Sequence, residues 1–491
     1  MFRGVALPSM EVFAKMSQKV KIGVIGGILP AAALELKTRL VAGAAEAGRQ
    51  VEVLVDWEAL RNDAPDALFR LRDKKMLALD AALRLQKAGA DLILLPSVDV
   101  QKFLPELQVE LTTPVVDWFA AIGKEIASRG AKKVGVLMPP CEFCTAEAHR
   151  RVFSSGAEPV PPTDEAEALV AEAAAQIRGE GVTEKSAGLL EKAAGLLGAV
   201  DAVLPMDEAA ALAAPELAEK GIPVIDTIGV LAAAALAASP APLPKPFKLG
   251  LIGGLGPAAT VDLFDKIVKA TPAKTDQEHF KLVIEENPQI PDRTACLLEG
   301  KTDPTLALYH AAKRLEEDGC DAIIIPCNTA HAFLPYMKRS LHVPFVDMQQ
   351  TALEDIAARF KEPRIGLLAT SGTVKTGIYS RKAEAMGLPL FVPDAENQKL
   401  VMSAIYGPKG AKAGFTDGVC RDELLRAAEY LVREHSCNVL ILGCTELPLI
   451  LDETDEFPIA DTRVAIVDPT AVLGRKVAKL AMSENQKRGT R

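Results

Sequence analysis

The 491-residue sequence has no run of about 18 apolar residues, so no membrane-spanning helix is expected. Its first twenty residues, MFRGVALPSMEVFAKMSQKV, lack a continuous apolar stretch and a clear cleavage site. They read as a tail (1–20) forming a short amphipathic helix, with organelle targeting as the other reading. Basic residues are not in excess: 56 Lys and Arg stand against 65 Asp and Glu, for a net charge of −9. That balance counts against a nucleic acid or an anionic membrane as partner. It leaves room for a small acidic ligand, which one local Arg or Lys can hold. The chain has only 8 cysteines, too few for a disulfide framework, so a reducing cytoplasm is the expected location. The one CxxC, Cys141-Glu142-Phe143-Cys144, has no second ligand pair nearby to complete a zinc site. No lysine is placed by spacing as a Schiff base. No metal and no cofactor are therefore expected.

What the chain does have is repetition. A basic residue, an aliphatic one and a glycine open four apolar runs: Lys21-Ile22-Gly23, Lys133-Val134-Gly135, Lys248-Leu249-Gly250 and Arg364-Ile365-Gly366. Each is followed by a second run ending at a breaker or polar residue: DLILLPS from Asp91, DAVLPMD from Asp201, DAIIIPC from Asp321 and NVLILGC from Asn438. A Pro-x-x-Asp closes each unit, at Pro114–Asp117, Pro223–Asp226, Pro344–Asp347 and Pro458–Asp461. Stretches of helical period lie between, such as Ala81–Ala88 and Leu424–Glu434. Strands alternating with helices predict βαβ units and parallel sheets.

The four units pair into two larger copies. Ser239-Pro240-Ala241-Pro242-Leu243-Pro244-Lys245-Pro246 is stiff by composition and reads as the linker, 239–246. It separates a domain at 21–238, with lobes of about 21–130 and 131–238, from one at 247–483, with lobes of about 247–360 and 361–483. Residues 484–491 are polar and read as a frayed tail.

Two stretches of the second copy carry chemistry. DAIIIPCNTAH places Cys327, Asn328, Thr329 and His331 after a buried strand, and NVLILGCTE places Cys444, Thr445 and Glu446 after another. The interval from Asp321 to Asn438 equals the interval from Cys327 to Cys444, so the thiols hold equivalent positions in related units. In open α/β sheets that end of the strand is where ligands bind. A helix N-terminus there would favour the thiolate. Inverting an α-carbon needs one group to take a proton from one face and another to deliver one to the opposite face. Cysteine near its reference pKa can do either. Asn328, Thr329 and Thr445 follow the thiols and can stabilise charge on a substrate carboxylate. His331 and Glu446 flank them and can orient donors. The loop Thr370-Ser371-Gly372-Thr373 repeats the place of Gly254-Leu255-Gly256.

On these residues the second copy resembles the aspartate/glutamate racemase family, and within it the cofactor-independent aspartate racemases. The matching pieces are GLIGGLGPAAT (250–260), TPAKTDQEH (271–279), NPQIPDRTA (287–295), PCNTAHAF (326–333), LLATSGT (367–373) and GCTE (443–446). The resemblance implies two Rossmann-like lobes in pseudo-twofold relation with the site between them. It implies proton-shuttling roles for Cys327 and Cys444, and Arg293 as the contact for the side-chain carboxylate. It also implies a Lys-Ala-Gly lysine as a second contact, which Lys412 matches, with Lys409 the other choice. Family members commonly dimerise. The first copy resembles the same family without its chemistry: Ser97 stands at the place of Cys327, and no cysteine lies near Met206 and Asp207. Such a copy is expected to be non-catalytic and to serve as a built-in dimer partner, with further homo-oligomerisation open.

Other readings remain at this level. Glutamate or a broader substrate range, hydantoin racemase, maleate isomerase, a pyridoxal phosphate racemase and a pair of small-acid binding modules are the alternatives. Gly254-Leu255-Gly256-Pro257-Ala258-Ala259 also fits a loose dinucleotide pattern with Glu285 as the ribose acid, although the same loop would serve a substrate carboxylate. Cys296, Cys320, Cys420, Cys437, His310 and His342 read as structural.

Overall fold

A computed structural model describes residues 19–26, 29–57, 67–139 and 146–490, with the backbone alone at 67–71 and 146–147. The expected N-terminal helix and the CxxC lie outside the described residues. The chain forms two compact units, Met1–Leu243 and Pro244–Arg491. Among the described residues no helix is long and apolar enough to cross a membrane.

The first unit holds two three-stranded parallel sheets. β1 (Val20–Ile25), β2 (Val51–Asp56) and β3 (Leu92–Leu94) run in the order β2-β1-β3. β4 (Lys133–Leu137), β5 (Glu158–Val160) and β6 (Ala202–Pro205) run β5-β4-β6. The second unit repeats the plan. β7 (Lys248–Gly253), β8 (Lys281–Glu286) and β9 (Ala322–Ile324) run β8-β7-β9. β10 (Ile365–Ala369), β11 (Leu390–Phe391), β12 (Val439–Gly443), β13 (Thr454–Ile459) and β14 (Thr462–Val467) run β11-β10-β12-β14-β13. The α/β tandem expected from the repeats is what forms, with β13 against β14 as the antiparallel exception.

The repeated sequence marks have local physical causes. The N–H of Lys21 donates to Asp91 Oδ2 at 2.8 Å, that of Lys133 to Asp201 at 2.8 Å, that of Lys248 to Asp321 at 2.9 Å, and that of Arg364 to Asn438 Oδ1 at 2.8 Å. The residue opening the third strand of each lobe thus fixes the start of the central strand. The glycine after each basic-aliphatic pair admits an oncoming side chain. A Cβ at Gly135 would stand 2.6 Å from Leu197, and one at Gly250 would stand 3.0 Å from Leu315.

The aspartates that close the units are N-caps. Asp117, Asp226 and Asp347 accept from the N–H of Ala120, Gly229 and Gln349, opening Trp118–Ser128, Thr227–Ala237 and Met348–Arg359. The fourth expectation is corrected. Pro458 lies inside β13 and Asp461 in the turn to β14, where Ala460 takes a φ of 52°. The inserted hairpin carries that Pro-x-x-Asp away from the helix. Asp468 caps Pro469–Arg488 in its place, accepting from Thr470 N at 2.8 Å.

In the second unit the helices closing each lobe cross over. Leu353 and Ile356 of Met348–Arg359 pack against Ile365, Leu367, Val439 and Ile441 of the second sheet. Leu473, Val477 and Ala481 of the last helix pack against Leu249, Leu251 and Leu263 of the first lobe. This exchange ties the lobes and holds the ends of β9 and β12 at one crevice.

The tail expected from Glu484 is instead helical as far as Arg488. Asn485 is buried and its Oδ1 accepts the N–H of Phe247 at 2.6 Å, while Arg488 reaches both oxygens of Asp321 at 3.1 Å. Polar composition concealed this docking because the buried contacts are themselves polar. Asn485→Ala leaves the Phe247 N–H buried without a partner. It should destabilise the chain by about 1–3 kcal/mol in urea denaturation, against little change for Lys487→Ala on the exposed face.

Candidate active site

In the second unit, β9 is followed by Ile325, Pro326 and Cys327, and β12 runs directly into Cys444. Both cysteines are buried, at 8% and 7% exposure. Both line one small pocket, together with Arg293, Asn328, Thr329, Thr370, Lys412, Thr445 and Glu446 from the expected set. Leu255, Asp292, Thr294 and Tyr406 complete the lining. Of the two lysines, Lys412 lines the cavity.

The surroundings of the two sulfurs differ. Beside Cys327 lies Arg293, the first residue of Arg293–Glu299, a helix capped by Asp292. Its guanidinium donates to Leu255 O at 2.8 Å, Pro291 O at 3.1 Å and Ile290 O at 3.2 Å, while its Nε is buried without a partner. Burial opposes its charge, but Cys327 and Asp292 hold its pKa above the usual value. His331 supports Cys327 from behind. Its Nε2 accepts the Met348 N–H at 3.1 Å, so its Nδ1 carries the proton and donates to Cys327 O at 2.9 Å. Burial lowers its pKa and keeps it neutral, with Asp347 opposing.

Cys444 faces a carboxylate. Its thiol donates to Glu446 Oε2 at 2.9 Å. Burial, then the negative charge of Glu446, push the thiol well above its ordinary range. Glu446 is itself held by the Lys412 ammonium, which lies 5.4 Å from the centre of the Tyr406 ring. Burial works against the Lys412 charge, but Glu446 lifts its pKa above the usual lysine value. The expectation that a helix N-terminus favours both thiolates is corrected. Only short 3₁₀ turns, Thr329–Ala332 and Leu447–Leu449, follow the cysteines, and at Cys444 burial and Glu446 outweigh the one amide that helps.

Donors complete the cavity. Asn328 Oδ1 accepts from the Tyr379 hydroxyl at 2.7 Å, while its Nδ2 is buried without a partner. Burial raises the Tyr379 pKa, so that hydroxyl keeps its proton. Thr329 Oγ1 lies 3.2 Å from Thr370 Oγ1 and 3.0 Å from Thr373 Oγ1. Ser371, Gly372 and Thr373 stand behind the lining: the Ser371 N–H meets Met402 Sδ, and Gly372 lets its helix approach Thr294. Gly256, with φ of 136°, gives way to Glu446, whose Oε1 would lie 2.6 Å from a Cβ there. Glu446 and Arg293 therefore pack on the glycine loop, and Glu285 is paired with Arg314 at 3.1 Å. Sequence reasoning missed Tyr406, which is 41% exposed as a whole residue yet lines the cavity beside Thr294. Burial pushes it up to about 12, with Thr294 pulling the other way. The structural cysteines stay apart from the cavity, and burial raises Cys320 and Cys437 to about 11.

At the equivalent strand ends of the first unit stand Ser97 and Asp207, both buried. Asp207 caps Glu208–Leu212 and pairs with Arg178 at 2.7 Å, and Glu208 accepts the Val98 N–H at 3.0 Å. No thiol occurs at either place.

The chain is similar to known proteins. A family model described as Asp/Glu/Hydantoin racemase matches residues 25–235 and again 252–477. Glutamate racemase of Aquifex pyrophilus is 31% identical over 170 residues, 32% of this chain and 58% of that protein. Broad specificity amino-acid racemase RacX of Bacillus subtilis (strain 168) is 25% identical over 231 residues, 45% of this chain and 96% of that protein. The chain thus spans a little over half the length of that glutamate racemase. Among solved structures, Picrophilus torridus aspartate racemase is 28% identical with a TM-score of 0.39, covering 50% of this chain and 95% of that one. An aspartate racemase homologue from Pyrococcus horikoshii OT3 is 27% identical with a TM-score of 0.39, covering 48% and 98%.

Glu446→Gln removes the negative charge that raises Cys444 and frees Lys412 to favour the thiolate. Alkylation of Cys444 by iodoacetamide, followed by mass spectrometry across a pH series, should begin at lower pH in the variant. An unmoved profile would show that Glu446 does not govern the thiol.

Proposed function

This chain belongs to the Asp/Glu/hydantoin racemase family, and we propose that its C-terminal unit interconverts L- and D-aspartate without a cofactor, using two cysteine sulfurs as proton acceptor and donor. The observation carrying this reading is that Cys327 and Cys444 end two equivalent strands and line one cavity with two cations, Arg293 and Lys412. One sulfur, as thiolate, takes the α-proton and becomes a thiol. The other, a thiol, delivers its proton to the opposite face and becomes the thiolate, so protons balance and the reverse reaction exchanges the roles.

The developing charge lies on the substrate's α-carboxylate. Asn328 Nδ2 is a donor already fixed in place, since Tyr379 holds the other end of the amide. A preorganised donor of this kind is worth about 10²–10³-fold in rate. Thr329, Thr370 and Thr445 add hydroxyls, and Arg293 and Lys412 answer the second carboxylate. Glu446, bonded to both Cys444 and Lys412, couples the state of that thiol to the position of the ammonium. Glutamate is the second substrate to try, favoured by the names that the relatives carry.

The test is L-aspartate in deuterated water with no cofactor added, following optical rotation and α-deuterium. Loss of rotation with deuterium at the α-carbon of the product is expected. Cys327→Ser and Cys444→Ser should each lose about 10²–10⁴-fold or more, because an unassisted hydroxyl is a far weaker acid than a thiol. L-glutamate run in parallel ranks the substrates by kcat/KM. No racemisation of either amino acid, or a visible aldimine band in the active protein, would overturn the proposal.

A further inference from the structure

In the C-terminal unit a buried tyrosine fills the space behind the donors. Tyr379 is 1% exposed, and its hydroxyl donates to Asn328. Gln349 continues the network, donating to Asn328 O at 3.0 Å and accepting from Lys382 at 2.9 Å. Lys382 pairs with Asp347 at 2.6 Å.

Among its described residues the N-terminal unit keeps the frame and loses the polar filling. Ala148 lies as many residues beyond Lys133 as Tyr379 lies beyond Arg364, and Arg151 corresponds in the same count to Lys382. The correspondence has an independent check: Arg151 pairs with Asp117 at 3.2 Å, as Lys382 does with Asp347. Val98 follows Ser97 as Asn328 follows Cys327, and Phe119 follows Asp117 as Gln349 follows Asp347. The set Tyr379, Asn328, Gln349 has thus become Ala148, Val98, Phe119. A pocket open to solvent lies among those three residues and Val136, Val152 and Leu204. Among its polar lining residues, Lys102 pairs with Asp99 at 3.1 Å and the His149 ring lies 4.8 Å from that of Phe153.

We propose that the N-terminal unit binds a small uncharged aromatic molecule of phenol size, seated where the Tyr379 ring sits in the C-terminal unit. The pocket's described walls are mostly apolar, and a ring laid against them takes apolar surface out of water. With the Lys102 charge already matched by Asp99, an uncharged ring suits the cavity better than an anion.

The probe is p-cresol, which is the tyrosine side chain without its backbone, added to the full chain with labelled methyl groups. Saturable binding is expected, with nuclear Overhauser contacts from the ring to the methyls of Val98, Val152 and Leu204. Ala148→Tyr places a ring of the chain at that position and should weaken binding at least tenfold. It should also abolish the rise in Tm that p-cresol gives the unaltered chain. Absence of saturable binding, contacts to methyls elsewhere, or equal affinity in a folded Ala148→Tyr protein would each overturn the proposal. The contacts in the unaltered chain decide the matter even where the variant does not fold.

Discussion

Two sulfurs can serve one carbon only if the strands that carry them end at the same crevice. β9 and β12 meet that condition because the closing helices of the second unit exchange lobes, burying Leu353 and Ile356 against the second sheet and Leu473 and Val477 against the first lobe. The polar contacts at the strand starts, from Lys248 to Asp321 and from Arg364 to Asn438, set the register that decides which residue emerges at the strand end. A shift of one residue would turn each cysteine to the other face of its sheet. The first unit has the same strand-start contacts at Asp91 and Asp201, yet carries Ser97 and Asp207 in the places of the cysteines. Scaffold and chemistry are therefore separable in this chain.

Symmetry of position does not extend to symmetry of charge. Arg293 stands at Cys327 and Glu446 at Cys444, so one sulfur sees a cation and the other an anion. Burial and Glu446 together hold the proton on Cys444. Glu446 is in turn paired with Lys412, so the field at the thiol depends on where that ammonium lies.

Much of the fold was legible because it rests on short-range rules. The basic-aliphatic-Gly openings, the Asp or Asn opening each third strand and the capping aspartates each answer one backbone requirement, and they recur wherever the requirement does. The fourth Pro-x-x-Asp misled because a hairpin inserted before the last helix moved the capping role to Asp468. The tail misled because Asn485 and Arg488 are buried through polar contacts with Phe247 and Asp321, which no hydrophobic period reveals. At the site, residues beside the thiols in sequence were readable. The place of Tyr406 in the lining and the Tyr379 support of Asn328 were not, since both arise from elements distant in sequence. The expected helix N-termini shrank to 3₁₀ turns, leaving burial and Glu446 to set the Cys444 thiol.

The account stands most directly on where the sulfurs lie relative to a bound substrate. A crystal structure of the full chain with aspartate in the cavity measures this. The account predicts the Cys327 and Cys444 sulfurs on opposite faces of the α-carbon, each within about 4 Å, close to the separation from which proton transfer proceeds. Both sulfurs on one face, or aspartate bound with either sulfur out of reach, would contradict it.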